Sequence, residues 1–328
     1  MAYSLSVVET PILKTKLVSQ RSRSRLLDRP RLLSLLEVDS AVRPKLTVIC
    51  GPAGYGKSTL VSQFIAAYPQ LRSAWYSLDE TDNNPDVFAR YLVAAYEELS
   101  GESGYLNSEL KPRDQLAVLF NAIQQQREAV LFVLDDFHWI INDRVLELFE
   151  WLLRVMPEQM SIVITTRETP MLDFMPELAV QGALQEITAE QLKFTQPETA
   201  AFVSSGHDVS LDDQSLLTLY QKTEGWVAGL QLSMHALKKQ GDVAAFIQQF
   251  SGSEKDIVGY LGSVVLGQKS QEVQDFFLSC SVLKRFNGEL CELVTGNDNA
   301  RSLLEALTSE GLFIFELDRG WYRFHHLF

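Results

Sequence analysis

The 328-residue sequence predicts an α/β fold with a five-stranded parallel sheet, followed by a small helical region and a terminal helix-and-hairpin region. Three observations support this prediction. Up to about residue 190, apolar β-branched runs alternate with segments of helical periodicity. From Pro197 to about Gly267, apolar residues instead recur every three or four positions, and no strand pattern is present. After residue 268, helical segments precede two short apolar runs that flank a turn.

The elements follow in order along the chain. Sheet strands are predicted at 45–50, 73–78, 130–135, 161–166 and 184–188. Helices are predicted near 58–67, 86–99, 113–127 and 143–155. The second of these helices has the clearest start, because Asn84 is a suitable N-cap and Pro85 suits the first turn.

The end of the chain has a different pattern. Helices at 271–281 and 299–309 precede short strands at 312–317 and 321–324, and Asp318-Arg319-Gly320 is a tight hairpin turn between those strands. Helices followed by a hairpin suggest a winged-helix module. We therefore expect four regions: a basic arm at 1–44, the sheet domain at 45–190, a helical domain at 191–267 and a winged-helix domain at 268–328.

Composition narrows the class of protein. The longest apolar run, 129–134, is too short to span a membrane, and the N-terminus lacks the features of a signal peptide. The three cysteines have no C-x-x-C spacing, so we expect neither a disulfide framework nor a zinc site. These observations predict a cytoplasmic protein without a membrane partner.

Charge is unevenly distributed along the chain. The formal net charge is −13, yet residues 1–45 hold nine lysines and arginines against four acidic residues. Such a basic arm can contact nucleic acid, or it can pack on the acidic remainder of the chain or help to hold a nucleotide. We favour packing, because the acidic body would repel a polyanion.

The most specific motif lies between the first predicted strand and its helix. It matches the phosphate-binding pattern G-x-x-x-x-G-K-[ST] in full. Its residues are Gly51, Pro52, Ala53, Gly54, Tyr55, Gly56, Lys57 and Ser58, and Thr59 continues into the helix.

The residue types of this loop suit a nucleotide. The three glycines allow positive φ angles and close approach, so that backbone N–H groups can face phosphate oxygens near a helix N-terminus. Lys57 would reach the β- and γ-phosphates, and the Ser58 hydroxyl would bind Mg²⁺. The alternative is a glycine-rich turn with an incidental lysine.

A second candidate element is the apolar strand 130–135, which ends in Asp135 and Asp136. Asp135 would hold Mg²⁺ directly or through a water, and Asp136 would orient an attacking water. A plain surface turn could also hold two aspartates. The phosphate loop upstream favours the functional interpretation.

The third candidate element is the strand 161–166, which is followed by Arg167. Its guanidinium could recognise a γ-phosphate through bidentate hydrogen bonds. The alternative is a surface arginine at the end of a strand.

Together these motifs resemble the signal-transduction ATPases with numerous domains, and within them the MalT-like, large ATP-binding regulators of the LuxR type. The resemblance covers almost the whole chain. It rests on the phosphate loop and on 15–17, 27–33, 75–83, 133–138, 192–202, 223–230 and 322–328. Segment 223–230 is similar to the Gly-x-Pro motif of relatives in apoptosis and plant resistance, with Trp226 in place of proline.

The resemblance implies an ATP- and ADP-binding switch with slow hydrolysis. ADP would favour a closed monomer, and ATP a self-associating form. By this resemblance His325 would contact the β-phosphate of ADP from the winged helix. Without the resemblance, the sequence around His325 favours a buried core histidine. Inducer and DNA would bind only through downstream domains that this chain lacks, so we expect a truncated winged helix at Phe328.

Two other functions stay open at this point. One is a free-standing P-loop ATPase or phosphotransferase, for which no acceptor-binding motif is visible. The other is a switch of defence signalling with an effector that does not bind DNA. His138, His207 and His235 are interpreted as structural, and Asp79 and Asp82 as residues at the edge of the nucleotide site or, for Asp82, a helix cap.

Overall fold

The structure is a computed structural model that describes residues 11–328, apart from 20–25, 37–42, 108, 207–210, 238–246, 248–249, 251–254, 268, 310–312, 318–319 and 326. Its centre is a five-stranded, all-parallel sheet in the order β2-β3-β4-β1-β5. The strands are β1 Leu46–Cys50, β2 Arg72–Ser77, β3 Val130–Asp135, β4 Met160–Thr166 and β5 Leu184–Ile187. All five predicted strands are confirmed, with their ends shifted by at most one residue.

Helices follow and separate these strands. They are α1 Pro30–Leu36, α2 Lys57–Ala67, α3 Pro85–Ser100, α4 Pro112–Gln126, α5 Asp143–Val155, α6 Met175–Val180 and α7 Ala189–Leu192. Strands β3 and β4 are buried at every residue, because helices cover both faces of a parallel sheet. The expected caps of α3 are present: the Asn84 side chain accepts from Asp86 N, and Pro85 is the first helical residue.

Beyond the sheet, the described residues are mainly helical up to a final hairpin. The helices are α8 Gln196–Gly206, α9 Asp213–Thr223, α10 Val227–Leu237, α11 Lys255–Tyr260, α12 Gln271–Cys280, α13 Gly288–Thr295 and α14 Ala300–Ser309, with a π-helical segment at Leu261–Leu266. Strands β6 Ile314–Glu316 and β7 Tyr322–Phe324 pair antiparallel, as expected of the hairpin. Two of its predicted turn residues, Asp318 and Arg319, lie outside the described residues.

Short helices account for most of the differences from the sequence-based expectation. Helices α6 and α13 were not predicted, because six and eight residues offer too few turns for a periodic apolar pattern. Within the described ranges, no helix is long and apolar enough to cross a membrane.

The basic arm packs on acidic side chains of the body, as we expected. Lys16 is buried and lies 2.8 and 2.7 Å from carboxylate oxygens of Asp79 and Asp82. Arg29 and Arg31 both reach Glu198 at the start of α8. The arginines at 21, 23 and 25 lie outside the described residues.

Candidate functional site

The phosphate loop joins β1 to α2 at the carboxyl edge of the sheet, where ligands of open α/β folds bind. Gly54 and Gly56 have φ angles of 78° and 80°, which side chains rarely adopt. Gly51 is different, because its φ is not in this region. A Cβ on Gly51 would lie 3.1 Å from Leu192 Cδ1, so this glycine serves close packing against α7 and not a left-handed turn.

Lys57, the first residue of α2, is buried and folds back over the loop. Its Nζ donates to the carbonyl oxygens of Gly51 at 2.7 Å and Pro52 at 3.0 Å. Burial lowers the pKa of Lys57 to about 8; the nearby charge of Asp136 opposes that shift, and the charge of Arg167 adds to it. The ammonium group is therefore held within the loop by backbone carbonyls.

Ser58, Asp135 and Thr165 form a compact oxygen cluster beside the loop. The hydroxyl groups of Ser58 and Thr165 both donate to Asp135 Oδ1 at 2.6 Å. Asp135 and Thr165 end or nearly end the neighbouring strands β3 and β4, and both are buried. The sequence pairs the motif serine with the strand-end aspartate, and the structure confirms that they lie together.

Asp136 follows β3 in a left-handed conformation with φ 61°, and its N–H donates to Thr165 Oγ1 at 2.9 Å. Its side chain is 45% exposed, whereas the whole of Asp135 is buried. Burial and the neighbouring Asp135 charge raise the pKa of Asp136, and Lys57 and Arg167 oppose that rise. The two adjacent acids thus occupy different environments.

His138, which we interpret as structural, lies beside Asp136. Its Nδ1 is 3.7 Å from Asp136 Oδ1, and its side chain is 10% exposed. Within the described part of the chain, neither ring nitrogen has a hydrogen-bond partner. Burial, together with the charges of Arg167, Lys57 and Lys269, lowers the pKa of His138 to about 3.

Arg167 follows β4 at the same edge and is partly buried. Its backbone carbonyl lies 3.6 Å from Cys50 Sγ at the end of β1. Its charge contributes to the pKa values of Lys57, Asp136 and His138, which places the guanidinium in their electrostatic surroundings. Its contact with a γ-phosphate stays a prediction.

The helical region covers the other side of the loop. The indole Nε1 of Trp226 donates to Ala53 O at 3.1 Å, and the N–H of Ala228 donates to Gly54 O at 3.0 Å. Trp226 and Tyr55 are both buried. The tryptophan of the motif at 223–230 is therefore a direct contact of the phosphate loop, which its sequence position did not reveal.

His325, just after β7, is 2% exposed and packs against the same tryptophan. Its Nε2 lies 3.1 Å from Thr223 O, and its Nδ1 accepts from Leu327 N at 3.1 Å. This pattern corresponds to a neutral ring with its proton on Nε2. A contact with a β-phosphate stays a prediction, and it would require these protein bonds to be exchanged.

Asp79 and Asp82 both contact the arm. Together they cap the short 3₁₀ helix Glu80–Asp82, and both contact Lys16. The capping interpretation of Asp82 is confirmed. His235 is exposed on α10, and His207 lies outside the described residues.

The oxygen cluster fits a hard divalent cation. One carboxylate and two hydroxyl groups are the ligand types that Mg²⁺ prefers, and Mg²⁺ commonly takes few protein ligands alongside phosphates and waters. Over the described residues, no group of three or more His, Cys, Asp or Glu side chains could form an all-protein metal site. Ser58 and Asp135 are the residues that would hold Mg²⁺ here.

Comparison with protein-family models gives two matches. Residues 23–164 match an AAA ATPase domain, and residues 262–328 match the MalT winged helix domain. The first match contains the phosphate loop and the paired aspartates. It implies that this site binds a nucleotide.

Curated relatives are similar over nearly the whole chain. The HTH-type transcriptional regulator MalT of Serratia proteamaculans is 34% identical over 311 residues, which are 92% of this chain and 34% of that protein. MalT of Yersinia pestis is 34% identical over 305 residues, covering 90% of this chain and 33% of that protein.

Similar solved structures are more distant. Cdc6p from Pyrobaculum aerophilum has 14% identity and a TM-score of 0.48, with 96% of this chain and 94% of that chain covered. The Thermotoga maritima RuvB Holliday junction branch migration motor has 15% identity and a TM-score of 0.41, with 90% of this chain and 92% of that chain covered. Likenesses at this level do not inform the function. This chain therefore contains matches to an AAA ATPase domain and to the MalT winged helix domain, and it is 34% identical to MalT over nine tenths of its own length, which is about one third of the length of these curated relatives.

Proposed function

We propose that this chain is the ATP- and ADP-binding switch of a MalT-like transcriptional regulator. The observation that carries the proposal is the convergence of the Ser58 and Thr165 hydroxyl groups on Asp135 Oδ1, 2.6 Å away, beside the buried Lys57. A buried carboxylate, two hydroxyl groups and an ammonium at a helix N-terminus suit a magnesium–phosphate ligand.

Each side chain of the site then has a distinct task. Lys57 would leave the carbonyls of Gly51 and Pro52 and pair with the β- and γ-phosphates. Mg²⁺, when bound at Ser58 and Asp135, would neutralise phosphate charge. Asp136 is the more exposed of the two acids, so we assign it the attacking water, and we assign Arg167 the γ-phosphate.

Slow hydrolysis suits a switch better than a metabolic enzyme. The loop contacts the helical region through Trp226 and Ala228, and His325 of the hairpin contacts the same region. We propose that ADP favours this packed arrangement as a monomer. ATP would favour an open form that self-associates, and hydrolysis would restore the ADP form.

The proposed division of the chain is an arm at 1–44, a nucleotide-binding domain at 45–190, a helical domain at 191–267 and a winged-helix domain at 268–328. DNA and an inducer would bind parts of the regulator outside this chain. Regulation of transcription implies a cytoplasmic location in a bacterium.

Light scattering after size exclusion tests the proposed switch. The chain should elute as a monomer with Mg²⁺ and ADP and shift to a larger species with Mg²⁺ and a slowly hydrolysed ATP analogue. Lys57→Ala should elute identically under both conditions. The same mass in both nucleotides, with both nucleotides shown to be bound, would contradict the oligomeric part of the proposal.

A further inference from the structure

His138 lies at the proposed site, and its buried ring nitrogens are unpaired. Its side chain is 10% exposed, and over the residues that the structure describes neither ring nitrogen makes a hydrogen bond. Buried polar atoms without a partner cost free energy and are rare in folded proteins. His325 shows the usual arrangement, because its two ring nitrogens are engaged by Thr223 O and Leu327 N. Packing alone therefore does not explain a histidine at position 138.

The backbone around His138 is held from two sides. The N–H of Asp136 donates to Thr165 Oγ1 at 2.9 Å, and Asn83 Nδ2 donates to Trp139 O at 2.5 Å. The ring of His138 also packs on that of Trp139, with 5.4 Å between their centroids. These contacts fix the place of the imidazole, so the ring does not need to be ordered again when a ligand binds.

The Asp136 carboxylate is left free by its own helix. Asp136 is the N-cap of the 3₁₀ helix Phe137–Trp139, a position at which an aspartate usually accepts from the first N–H groups of the helix. In this fully described stretch it makes no such bond. Its Oδ1 lies instead 3.7 Å from His138 Nδ1. That separation is too long for a hydrogen bond, and a closure of about 0.8 Å would form one of ordinary length.

The ring has the right charge state to donate to this carboxylate. Burial, together with the charges of nearby arginine and lysine side chains, lowers the pKa of His138 to about 3. At physiological pH the imidazole is therefore neutral and carries one N–H, which can lie on Nδ1. A general base commonly has an orienting partner of this kind, and such a hydrogen bond is often long until the substrate is bound.

We propose that His138 is a positioning residue for ATP hydrolysis, whose Nδ1–H donates to Asp136 Oδ1 in the nucleotide-bound chain and holds that carboxylate toward the attacking water. The proposal rests on the proposed function, because Asp136 is there assigned the water. In that reaction the water oxygen bonds to the γ-phosphorus, the bond from this phosphorus to the bridging oxygen breaks, and ADP leaves with that oxygen. One water proton passes to Asp136 and then to solvent, while His138 keeps its own proton.

Single-turnover hydrolysis of ATP with protein in excess tests the proposal. His138→Phe keeps an aromatic ring beside Trp139 but removes both nitrogens, and it should lower the hydrolysis rate about 30-fold. Its affinity for ADP and ATP should stay within about twofold of the wild type, since His138 is not assigned to the phosphates or the metal. His235→Phe makes the same replacement at an exposed position on α10 and should hydrolyse ATP at the wild-type rate. A wild-type rate in His138→Phe would overturn the proposal.

A double-mutant cycle separates positioning from a general structural role. If His138 acts through Asp136, His138→Phe should change the rate by about twofold or less in a chain that already carries Asp136→Asn. A structural role would instead slow both backgrounds alike, and a further loss of about 30-fold in the double variant would contradict the proposal.

Two amide variants locate the effect at one nitrogen, and they decide the matter if His138→Phe does not fold. The Nδ2 of asparagine is bonded to Cγ, as Nδ1 is in histidine, whereas the amide of glutamine lies one carbon farther out, near the place of Nε2. His138→Asn should therefore retain a hydrolysis rate within about fivefold of the wild type, and His138→Gln should lose about as much as His138→Phe. Equal rates in the two amide variants would rule out a donor at Nδ1.

The same measurements separate this inference from the proposed function. A slow Asp136→Asn variant beside a fast His138→Phe variant refutes the role of His138 and leaves the assignment of Asp136 in place. A fast Asp136→Asn variant refutes both. A wild-type chain that binds ATP without hydrolysing it also refutes both roles in turnover, and it leaves nucleotide binding at the loop intact.

Discussion

The two sides of the phosphate loop are built in different ways. On the sheet side, side chains at the ends of neighbouring strands meet, and Ser58 and Thr165 share one carboxylate oxygen of Asp135. On the helical side, Trp226 and Ala228 bond to backbone carbonyls of the loop, from residues more than 170 positions away in sequence. The sheet side holds groups suited to phosphate and metal chemistry, whereas the helical side holds the loop itself.

This difference separates what binds the nucleotide from what responds to it. Lys57 belongs to both groups of residues. It donates to Gly51 O and Pro52 O in the structure, and it is the proposed partner of the phosphates. In the structure, four consecutive loop carbonyls, from Gly51 to Gly54, accept hydrogen bonds from Lys57, Trp226 or Ala228. Changes on the sheet side should therefore alter binding and turnover, and changes on the helical side should alter release and domain packing.

The largest effect is expected for Lys57→Ala. Loss of a charged hydrogen bond to phosphate should weaken ADP and ATP binding about 100-fold or more. Calorimetric titration measures this loss, with Lys111→Ala as a control, since Lys111 is exposed at the N-cap of α4. Nucleotide affinity within twofold of the wild-type value would remove Lys57 from the site.

Asp136→Asn should act on turnover alone. Removing the proposed acceptor of the water proton should lower the hydrolysis rate about 100-fold, a typical effect for general-base catalysis. ADP affinity should stay within about twofold, because Asp136 is not assigned to the phosphates or the metal. Single-turnover kinetics measure the rate, and Asp143→Asn is the matched control at an exposed position on α5. A hydrolysis rate equal to that of the wild type would show that another residue accepts the water proton.

His325→Ala tests the helical side with a smaller effect. It removes the bond to Thr223 O and a ring contact of Trp226, so ADP release should accelerate about fivefold, equivalent to about 1 kcal/mol. His325→Gln, which retains an amide donor, should lie between that variant and the wild type. Stopped-flow displacement of a fluorescent ADP measures release, and an unaltered rate would disconnect the hairpin from the loop.

The smallest effect is a proton uptake. Burial lowers the pKa of Lys57 to about 8, so in the free protein its charge is lost as the pH rises through that value. Phosphate oxygens favour the charged form, and binding ADP at pH 8 to 9 should therefore take up a fraction of a proton, up to about one. Calorimetry in two buffers of different ionisation enthalpy measures it. Proton release in this range would contradict the assigned environment of Lys57.

Much of the sheet side could be predicted from the sequence, because its residues follow apolar strands at positions that a parallel sheet brings together. The strand ends at 135 and 166, and the loop after Cys50, lie at one edge for this reason. Asp135 beside Ser58 was predictable from this rule alone, and the structure confirms it.

The helical side was not predictable in the same way. The donor from Ala228 is a backbone N–H, which no residue type signals, and Trp226 reaches Ala53 only through the packing of α10 on the loop. The buried ring nitrogens of His138 beside Asp136 were not predictable either, because burial is a property of the folded chain. For Gly51 the predicted close approach is present, but it is made to Leu192, and the residue does not adopt a positive φ.

The most direct test of the account is the nucleotide content of the chain itself. The purified protein is first loaded by dialysis against excess Mg²⁺ and ADP, then dialysed against buffer, and finally denatured. The wild-type chain should then release about one equivalent of ADP, and Lys57→Ala should release none. Trp226→Phe should fall between them, because the helical side slows release. A wild-type chain that retains no nucleotide and shows no calorimetric binding of ADP or ATP would contradict the central claim that this loop is a nucleotide switch.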